Sequence, residues 1–342
     1  MTKFLPKLKY INSKQFFLIF FFLVTMVLSV LLSIVMGSFK ISINDVFTGQ
    51  LSEIGKSVFY EIRLPRVVFA AFVGCALSLS GACLQGLFRN PLADPGLIGV
   101  SSGAALGAAS IIVLGSNLIP DFLLGPYLVP LSAIIGAVFV ILLLYSFTNG
   151  FGYQGVTYML LAGIAVNSIA GVAIGILTYI SDDAALRSLT FWTMGSFGGI
   201  TWSLAIPAMA IILLNLFWVF RFSRKLDIIQ LGESEAYRLG IDVKKLKFSV
   251  IISSAIIVGI SVSISGMIGF VGLIVPHLIR LIGGVNHNYL LPGSALGGAI
   301  LMVISDLISR TIVQPAELPI GLITSAIGSP FFLWLILKNR RI

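Results

Sequence analysis

The sequence predicts an all-α integral membrane protein that crosses the bilayer about ten times. Three observations predict it. Of 342 residues, 58% are hydrophobic and only 10% charged, whereas soluble domains carry roughly a quarter charged residues. The apolar residues fall into ten runs, most of them near the length of about 20 residues that a helix needs to cross a hydrocarbon core of about 30 Å. Basic residues, finally, gather between alternate runs, where they act as topology signals.

The first run, 16–36, follows Lys3, Lys7, Lys9 and Lys14. It exceeds the about 7–15 apolar residues of a signal peptide and no small-x-small cleavage site follows it, so an uncleaved first span is expected. Runs at 64–86, 96–114, 128–147, 157–180 and 203–220 come next, then 248–265, a short 268–282 almost at once, 291–308 and 320–337. Alternating through these ten from an inside N-terminus puts Lys3, Lys7, Lys9, Lys14, Arg89, Arg221, Arg224, Lys225, Arg238, Lys244, Lys245, Lys247, Arg280, Lys338, Arg340 and Arg341 on one side, sixteen of the 22 basic residues. Lys40, Lys56, Arg63, Arg66, Arg187 and Arg310 fall opposite. The excess marks the first side as cytoplasmic, with both termini inside. The net charge of +9 is therefore read as topology and not as a nucleic-acid surface.

A self-comparison adds an internal repeat. Ser78-Leu79-Ser80-Gly81 returns as Ser263-Ile264-Ser265-Gly266, Pro91 as Pro276, and the glycine pair Gly103/Gly107 as Gly293/Gly297. Five spans separate the copies, and units separated by an odd number of crossings enter the membrane from opposite faces, which gives an inverted repeat. The expected organisation is one transmembrane domain over 1–342, with repeat halves at about 62–180 and 248–338 and an inner loop at about 221–247. Chance likeness between Gly/Ser-rich helices is the alternative. Gly99, Gly103 and Gly107, and again Gly171 and Gly175, recur every four residues and let helix backbones approach closely.

Little in the chain carries chemistry. Cys75 and Cys83 are eight apart in one apolar run, about 12 Å along a helix and beyond disulfide reach. His277 and His287 share no metal-ligand spacing with them. Asp306 alone among the acidic residues lies inside a span, near its outer end, and Arg310 four residues on is positioned to pair with it. An ion-coupled carrier usually keeps a carboxylate near the midplane, so the energy is expected from elsewhere. The stretch from Gly49 to Gly55-Lys56-Ser57 looks like a phosphate loop, but five residues separate its glycines where four are needed. A separate ATPase must then touch the inner face, where only the loop 221–247 is long enough. Within it, Leu231-Gly-Glu-Ser-Glu-Ala-Tyr-Arg-Leu-Gly240 sets helix formers between two glycines and reads as a short interfacial helix or as a solvated connector. On the outside, Arg63 and Arg66 are three apart on one helical face with Pro65 in the first turn, and Arg310 ends span nine. Interfacial anchors and docking groups both fit them.

Together these segments resemble the FecCD family, the BtuC-like permeases of bacterial ABC importers for iron siderophores and cobalamin. The resemblance rests on Arg63-Leu-Pro-Arg66, the stretch from Ser80-Gly-Ala-Cys-Leu-Gln to Gly99-Val100, Trp192-Thr-Met-Gly-Ser196, Leu231-Gly-Glu233 with Leu239-Gly240, Gly269 to Arg280, and Glu317-Leu-Pro-Ile-Gly321. It runs in order along nearly the whole chain, the first fifty residues excepted. It implies a type II ABC importer permease that moves a ferric siderophore, or haem or cobalamin, across the bacterial cytoplasmic membrane. The implied partners are an ABC ATPase homodimer, an extracytoplasmic substrate-binding protein and a second permease subunit. No cofactor is expected on the chain itself; ATP and Mg belong to the ATPase subunits.

By position, Arg63, Arg66 and Arg310 match docking arginines for the binding protein. Leu231, Gly232, Glu233, Glu235, Ala236, Leu239 and Gly240 match the helices that couple to the ATPase, and the fifth and tenth spans match the pathway lining. A secondary carrier, a divalent-metal permease and a membrane scaffold are the competing readings. The first would stop when ion gradients collapse, and the second would show His or carboxylate ligands along its path.

Overall fold

The computed structural model describes residues 11–37, 39, 42–48, 50–120, 125–148 and 155–339. Lys3, Lys7, Lys9, Lys40, Gly49, Arg340 and Arg341, used above for topology or motif arguments, lie outside these residues. Every described element is helical: α1 (Ser13–Val35), α2 (Ile43–Thr48), α3 (Glu53–Ser57), α4 (Leu64–Phe88), α5 (Val100–Leu118), α6 (Leu128–Thr148), α7 (Gly155–Ile180), α8 (Asp183–Met194), α9 (Trp202–Val219), α10 (Ser223–Ile229), α11 (Glu233–Arg238), α12 (Val243–Ser265), α13 (Val271–Gly283), α14 (His287–Ser309) and α15 (Ile320–Asn339). Among the described residues, seven helices are long and apolar enough to cross a membrane, and three shorter apolar ones, in α5, α13 and α15, complete the ten expected runs. At 13 residues, α13 reaches only about 20 Å.

The ends of these helices follow from local chemistry. Asn12 and Gln15 form a capping box at the start of α1, and Gln15 also donates to the Gly283 carbonyl at 2.8 Å. Asp242 caps α12 through the Lys245 backbone N–H, which holds its carboxyl below the ordinary range. The helix containing Arg66 does not begin at Pro65 as the sequence implied. It begins at Glu53 and passes through a π turn, Val58–Arg63, into α4. Proline cannot donate an N–H and crowds the carbonyl four residues back, and a wider turn placed just before it accommodates both effects.

α4 is the central element. Nearly all of it is buried, and its partner along the whole length is α14. The pair runs antiparallel in one register, with Arg66 against Asp306, Gly74 against Gly298 and Gly86 against His287. A Cβ added to Gly74 would sit 2.1 Å from the Gly298 carbonyl oxygen, and one added to Gly298 would sit 2.1 Å from that of Gly74. Backbone therefore touches backbone there. Gly81 meets the Gly272 carbonyl of α13 in the same way, while α1 covers the outside of α14.

The second glycine series behaves as the four-residue spacing predicts in one helix and not in the other. Gly103 and Gly107 press α5 onto α6, with added Cβ atoms at 2.6 Å from the Gly136 oxygen and 2.1 Å from that of Ser132. Gly171 and Gly175 in α7 have nothing within 4 Å. The repeat motifs also divide. Among the ten spans α12 stands five after α4, the odd step that inversion needs. α14, which carries the Gly293 segment, stands six after α5, which carries the Gly103 segment, an even step. That second match therefore joins helices entering from the same face and gives inversion no support.

Candidate functional site

Two polar clusters stand at the two ends of α4, separated by about 30 Å along its axis. The first surrounds the three arginines singled out in the sequence. All three are buried, and each is held by this chain. Arg63 donates to the carbonyls of Ile34 at 3.0 Å and Val35 at 2.9 Å, and to that of Phe39. Arg310 donates to the Ser33 carbonyl and to Ser33 Oγ. The last carbonyls of a helix have no partner within it and form the negative end of its dipole. Two guanidiniums thus close the C-terminus of α1.

Arg66 turns instead to α14 and the segment after it. Its Nε donates to Asp306 Oδ1 at 2.8 Å, and its Nη1 to both Glu317 oxygens at 2.9 Å. Asp306 is fully buried, and its second oxygen lies 3.4 Å from Arg310 Nε, an ion pair without hydrogen-bond geometry. The pairing of Asp306 with Arg310 read from their four-residue spacing is therefore present, but the shorter bond goes to Arg66, 240 residues away in the chain. Glu317 is the exposed member, its side chain 45% accessible.

Three of the sequence motifs meet beside this cluster. Gly195, at φ 75°, accepts the Ile320 N–H, while Ser196 donates its N–H to the Ser265 carbonyl at 2.8 Å. Gly266, at φ 71°, passes so close to Trp192 that an added Cβ would lie 2.1 Å from its carbonyl oxygen. A Cβ on Gly321 would meet the Met194 oxygen at 2.4 Å. The Trp192–Ser196, Gly266 and Glu317–Gly321 segments are thus one packed junction between the end of α8, the end of α12 and the start of α15.

The second cluster is built on α10 and α11. Gly232 at φ 113° and Gly240 at φ 83° permit the turns that bound α11, so the helix expected between these two glycines is present at Glu233–Arg238. Ala236 is its buried anchor, while Leu231, Tyr237 and Leu239 are 66%, 71% and 60% exposed. The carboxylate of Glu233 turns inward and receives Lys247 Nζ at 2.7 Å, both side chains largely buried. Glu235 stays at the surface, paired with Arg238 at 3.1 Å. Of the predicted coupling residues, then, the two leucines present an outward apolar surface, and Ala236 and Glu233 hold the helix in place.

Sequence reading missed what fixes α10. His287, buried at the start of α14, bonds through Nδ1 to Asp227 Oδ1 at 2.6 Å, and its backbone N–H donates to the same oxygen at 2.9 Å. Gln230 donates to the Gly86 carbonyl at 2.6 Å, and Ser223 to Asn288 at 2.9 Å. A signal existed in the placement of an acid in the inner loop and a histidine at a span's start, but nothing in their spacing joins them. Among the described residues, no group of three or more His, Cys, Asp or Glu is arranged to hold a metal ion.

Residues 25–338 match the FecCD transport family. The chain belongs to the FecCD family. Within reach of that match is the hemin transport system permease protein HmuU of Yersinia pestis, 45% identical over 320 residues, covering 94% of this chain and 95% of HmuU. The vitamin B12 import system permease protein BtuC of Citrobacter koseri is 40% identical over 318 residues, 93% of each chain. Among solved structures, a chain in an inward-facing conformation, assigned to the metal-chelate type of ABC transporter, superposes with a TM-score of 0.84 at 34% identity over 94% of this chain and 98% of its own. PsaBC from Streptococcus pneumoniae, at 15% identity and a TM-score of 0.53 over 85% of this chain and 94% of its own, shares the fold alone. The FecCD assignment makes the chain a multi-pass membrane permease, with the BtuC-like architecture that the sequence pattern predicted.

Proposed function

We propose that this FecCD permease is the membrane-spanning subunit of a binding-protein-dependent ABC importer that brings a metal chelate into the bacterial cytoplasm. The observation that carries the reading is the end-to-end likeness to HmuU, 45% identity over 94% of the chain. Ferric siderophore, haem and cobalamin are the cargoes considered, and the HmuU likeness favours haem. A binding protein delivers the cargo outside, a pair of ATPase subunits holding ATP and Mg drives transport from inside, and a second permease subunit completes the pathway. The chain itself carries no cofactor.

In this reading the α10–α11 end faces the cytoplasm, as do both termini. Leu231, Tyr237 and Leu239, exposed around a short helix, are the kind of apolar knob that inserts into a partner's cleft. Residues Leu231–Gly240 are thereby the ATPase contact, with Glu233, Glu235 and Ala236 shaping it. The opposite end receives the binding protein. Arg63, Arg66 and Arg310 are occupied by internal acceptors, so docking on them proceeds by exchange, and Glu317, the exposed partner of Arg66, is the carboxylate an incoming acidic group displaces. A secondary carrier is disfavoured because the buried Asp306 carboxylate sits between two arginines at one end of α4 and not near the midplane, where an ion-coupled carrier usually keeps one.

Reconstitution tests this. The permease in liposomes with its ATPase, its binding protein and haem should accumulate haem only when ATP is present on the ATPase side. Accumulation without the ATPase, or driven by an ion gradient alone, would overturn the proposal.

A further inference from the structure

The two polar clusters sit on one mechanical element. α4 and α14 are paired in constant register from Arg66–Asp306 through Gly74–Gly298 to Gly86–His287. Backbone contact at the middle, flanked by the Ser78 and Met302 side chains, leaves little room to rearrange, so the pair resists sliding and moves as one body. At one end it holds the arginine–carboxylate cluster. At the other it is gripped by α10 through three side-chain connections.

Those connections are directional. The Asp227 carboxylate accepts both the ring N–H and the backbone N–H of His287, at 2.6 and 2.9 Å. Bonds to an ionised acceptor are roughly twice as strong as neutral ones, and this one lies at the positive end of the α14 dipole. Gln230 reaches α4 instead, donating to Gly86 at 2.6 Å. An added Cβ on Gly86 would lie 2.4 Å from His287 Nε2, so α4 and α14 are in contact where α10 grips them. One short helix thus holds both members of the pair at one level, and through Gly232 it leads directly into α11. α11 has its own attachment to α12 through Glu233 and Lys247, but α12 does not carry the arginine–carboxylate cluster.

We propose that Asp227, His287 and Gln230 are positioning residues that fasten the α10–α11 pair to the α4–α14 strut, so that displacement of α11 by the ATPase is delivered to the Arg66–Asp306–Glu317 end. By linkage, docking at that end is delivered back to the ATPase. The inference rests on the importer reading and assigns the coupling to a connection outside the α11 contact surface.

The test uses the complete importer in liposomes, with haem as the probe cargo and its binding protein supplied outside. Asp227→Ala, Gln230→Ala and the conservative Asp227→Asn are compared with the unaltered chain. Three quantities are read: co-purification of the ATPase, ATP hydrolysed per haem imported, and stimulation of hydrolysis by loaded binding protein. Asp227→Ala should keep the ATPase bound, raise ATP consumed per haem about tenfold and lose most of the stimulation, within the range of ordinary coupling energies. Asp227→Asn, which still accepts the His287 backbone N–H, should stay close to the unaltered ratio. If Asp227→Ala does not reach the membrane, Gln230→Ala, which removes the neutral bond to Gly86 and a local one to Leu226, should show the same direction.

Unchanged ratios in both alanine variants would overturn the inference. So would loss of the ATPase from the complex, since the residues would then only shape its docking surface. Failure of the unaltered complex to import haem, cyanocobalamin or a ferric siderophore with ATP would instead sink the importer reading itself.

Discussion

The substitution Gly298→Ala separates backbone packing from helix propensity, because the two act in opposite directions. Alanine is the better helix former by about 1 kcal/mol, and Gly298 has no left-handed backbone to preserve. Its new methyl group would nevertheless stand 2.1 Å from the Gly74 carbonyl oxygen and 2.5 Å from the Ser78 Cβ. Ordinary contact begins near 3.4 Å, so α4 and α14 would have to part by roughly 1.3 Å at this level, where even a gap of about 0.5–1 Å forfeits a quarter to a half of the contact attraction. Overpacking of this kind costs about 1–3 kcal/mol, more than the propensity gain. Gly171→Ala is the comparison, since nothing lies within 4 Å of that position. The assay is the apparent melting temperature of the purified permease in detergent, read by intrinsic fluorescence. Gly298→Ala should melt several degrees below the unaltered chain, and Gly171→Ala at or slightly above it. Equal or higher melting of Gly298→Ala would refute the claim that backbone contact sets the α4–α14 spacing.

Three further outcomes are expected. Asp306→Ala leaves the Arg66 and Arg310 charges buried without their shared partner and should cost about 3–5 kcal/mol, whereas Glu317→Gln, at a half-exposed site, should cost at most about 1 kcal/mol; thermal stability of the two variants orders them. Glu233→Arg sets two cations against each other at a largely buried contact and should destabilise the α11 region by about 1.5–3 kcal/mol, with recovery when Lys247→Glu is added; protease sensitivity of the 221–247 segment reports both. Leu231→Ser with Leu239→Ser removes apolar surface that is mostly exposed. It should leave melting unchanged and abolish co-purification of the ATPase.

The ten spans were legible because bilayer thickness imposes a length on every apolar run, and apart from the start of the second their observed bounds lie within about five residues of the sequence reading. α11 was legible for a different reason: two glycines bracket a string of helix formers, and both adopt the positive φ that glycine alone tolerates easily. The start of the Arg66 helix was not legible, since Pro65 reads as a first-turn residue and a π turn before it leaves no sequence mark. Partners of the buried arginines were equally hidden. Spacing on one helix proposed Arg310 for Asp306, but the stronger bond comes from Arg66 on another helix, and carbonyls, which every residue carries, receive Arg63. The Gly171 and Gly175 spacing shows the same limit from the other side. A small-residue face permits close approach, and whether another helix of the same chain takes it is decided by the tertiary arrangement.

The way α1 is tied down has a bearing on how the chain is made. Its N-terminal turn is tethered through Gln15 to Gly283, and its far end through Ser33 to Arg310, a residue 277 positions later. Arg63, only 28 positions after Val35, can close the last carbonyls of α1 soon after α4 is made, whereas the Gln15 and Ser33 latches form only once the late helices have been threaded into the bilayer. A truncated product lacking α13 and α14 would carry α1 fastened at its C-terminal end alone.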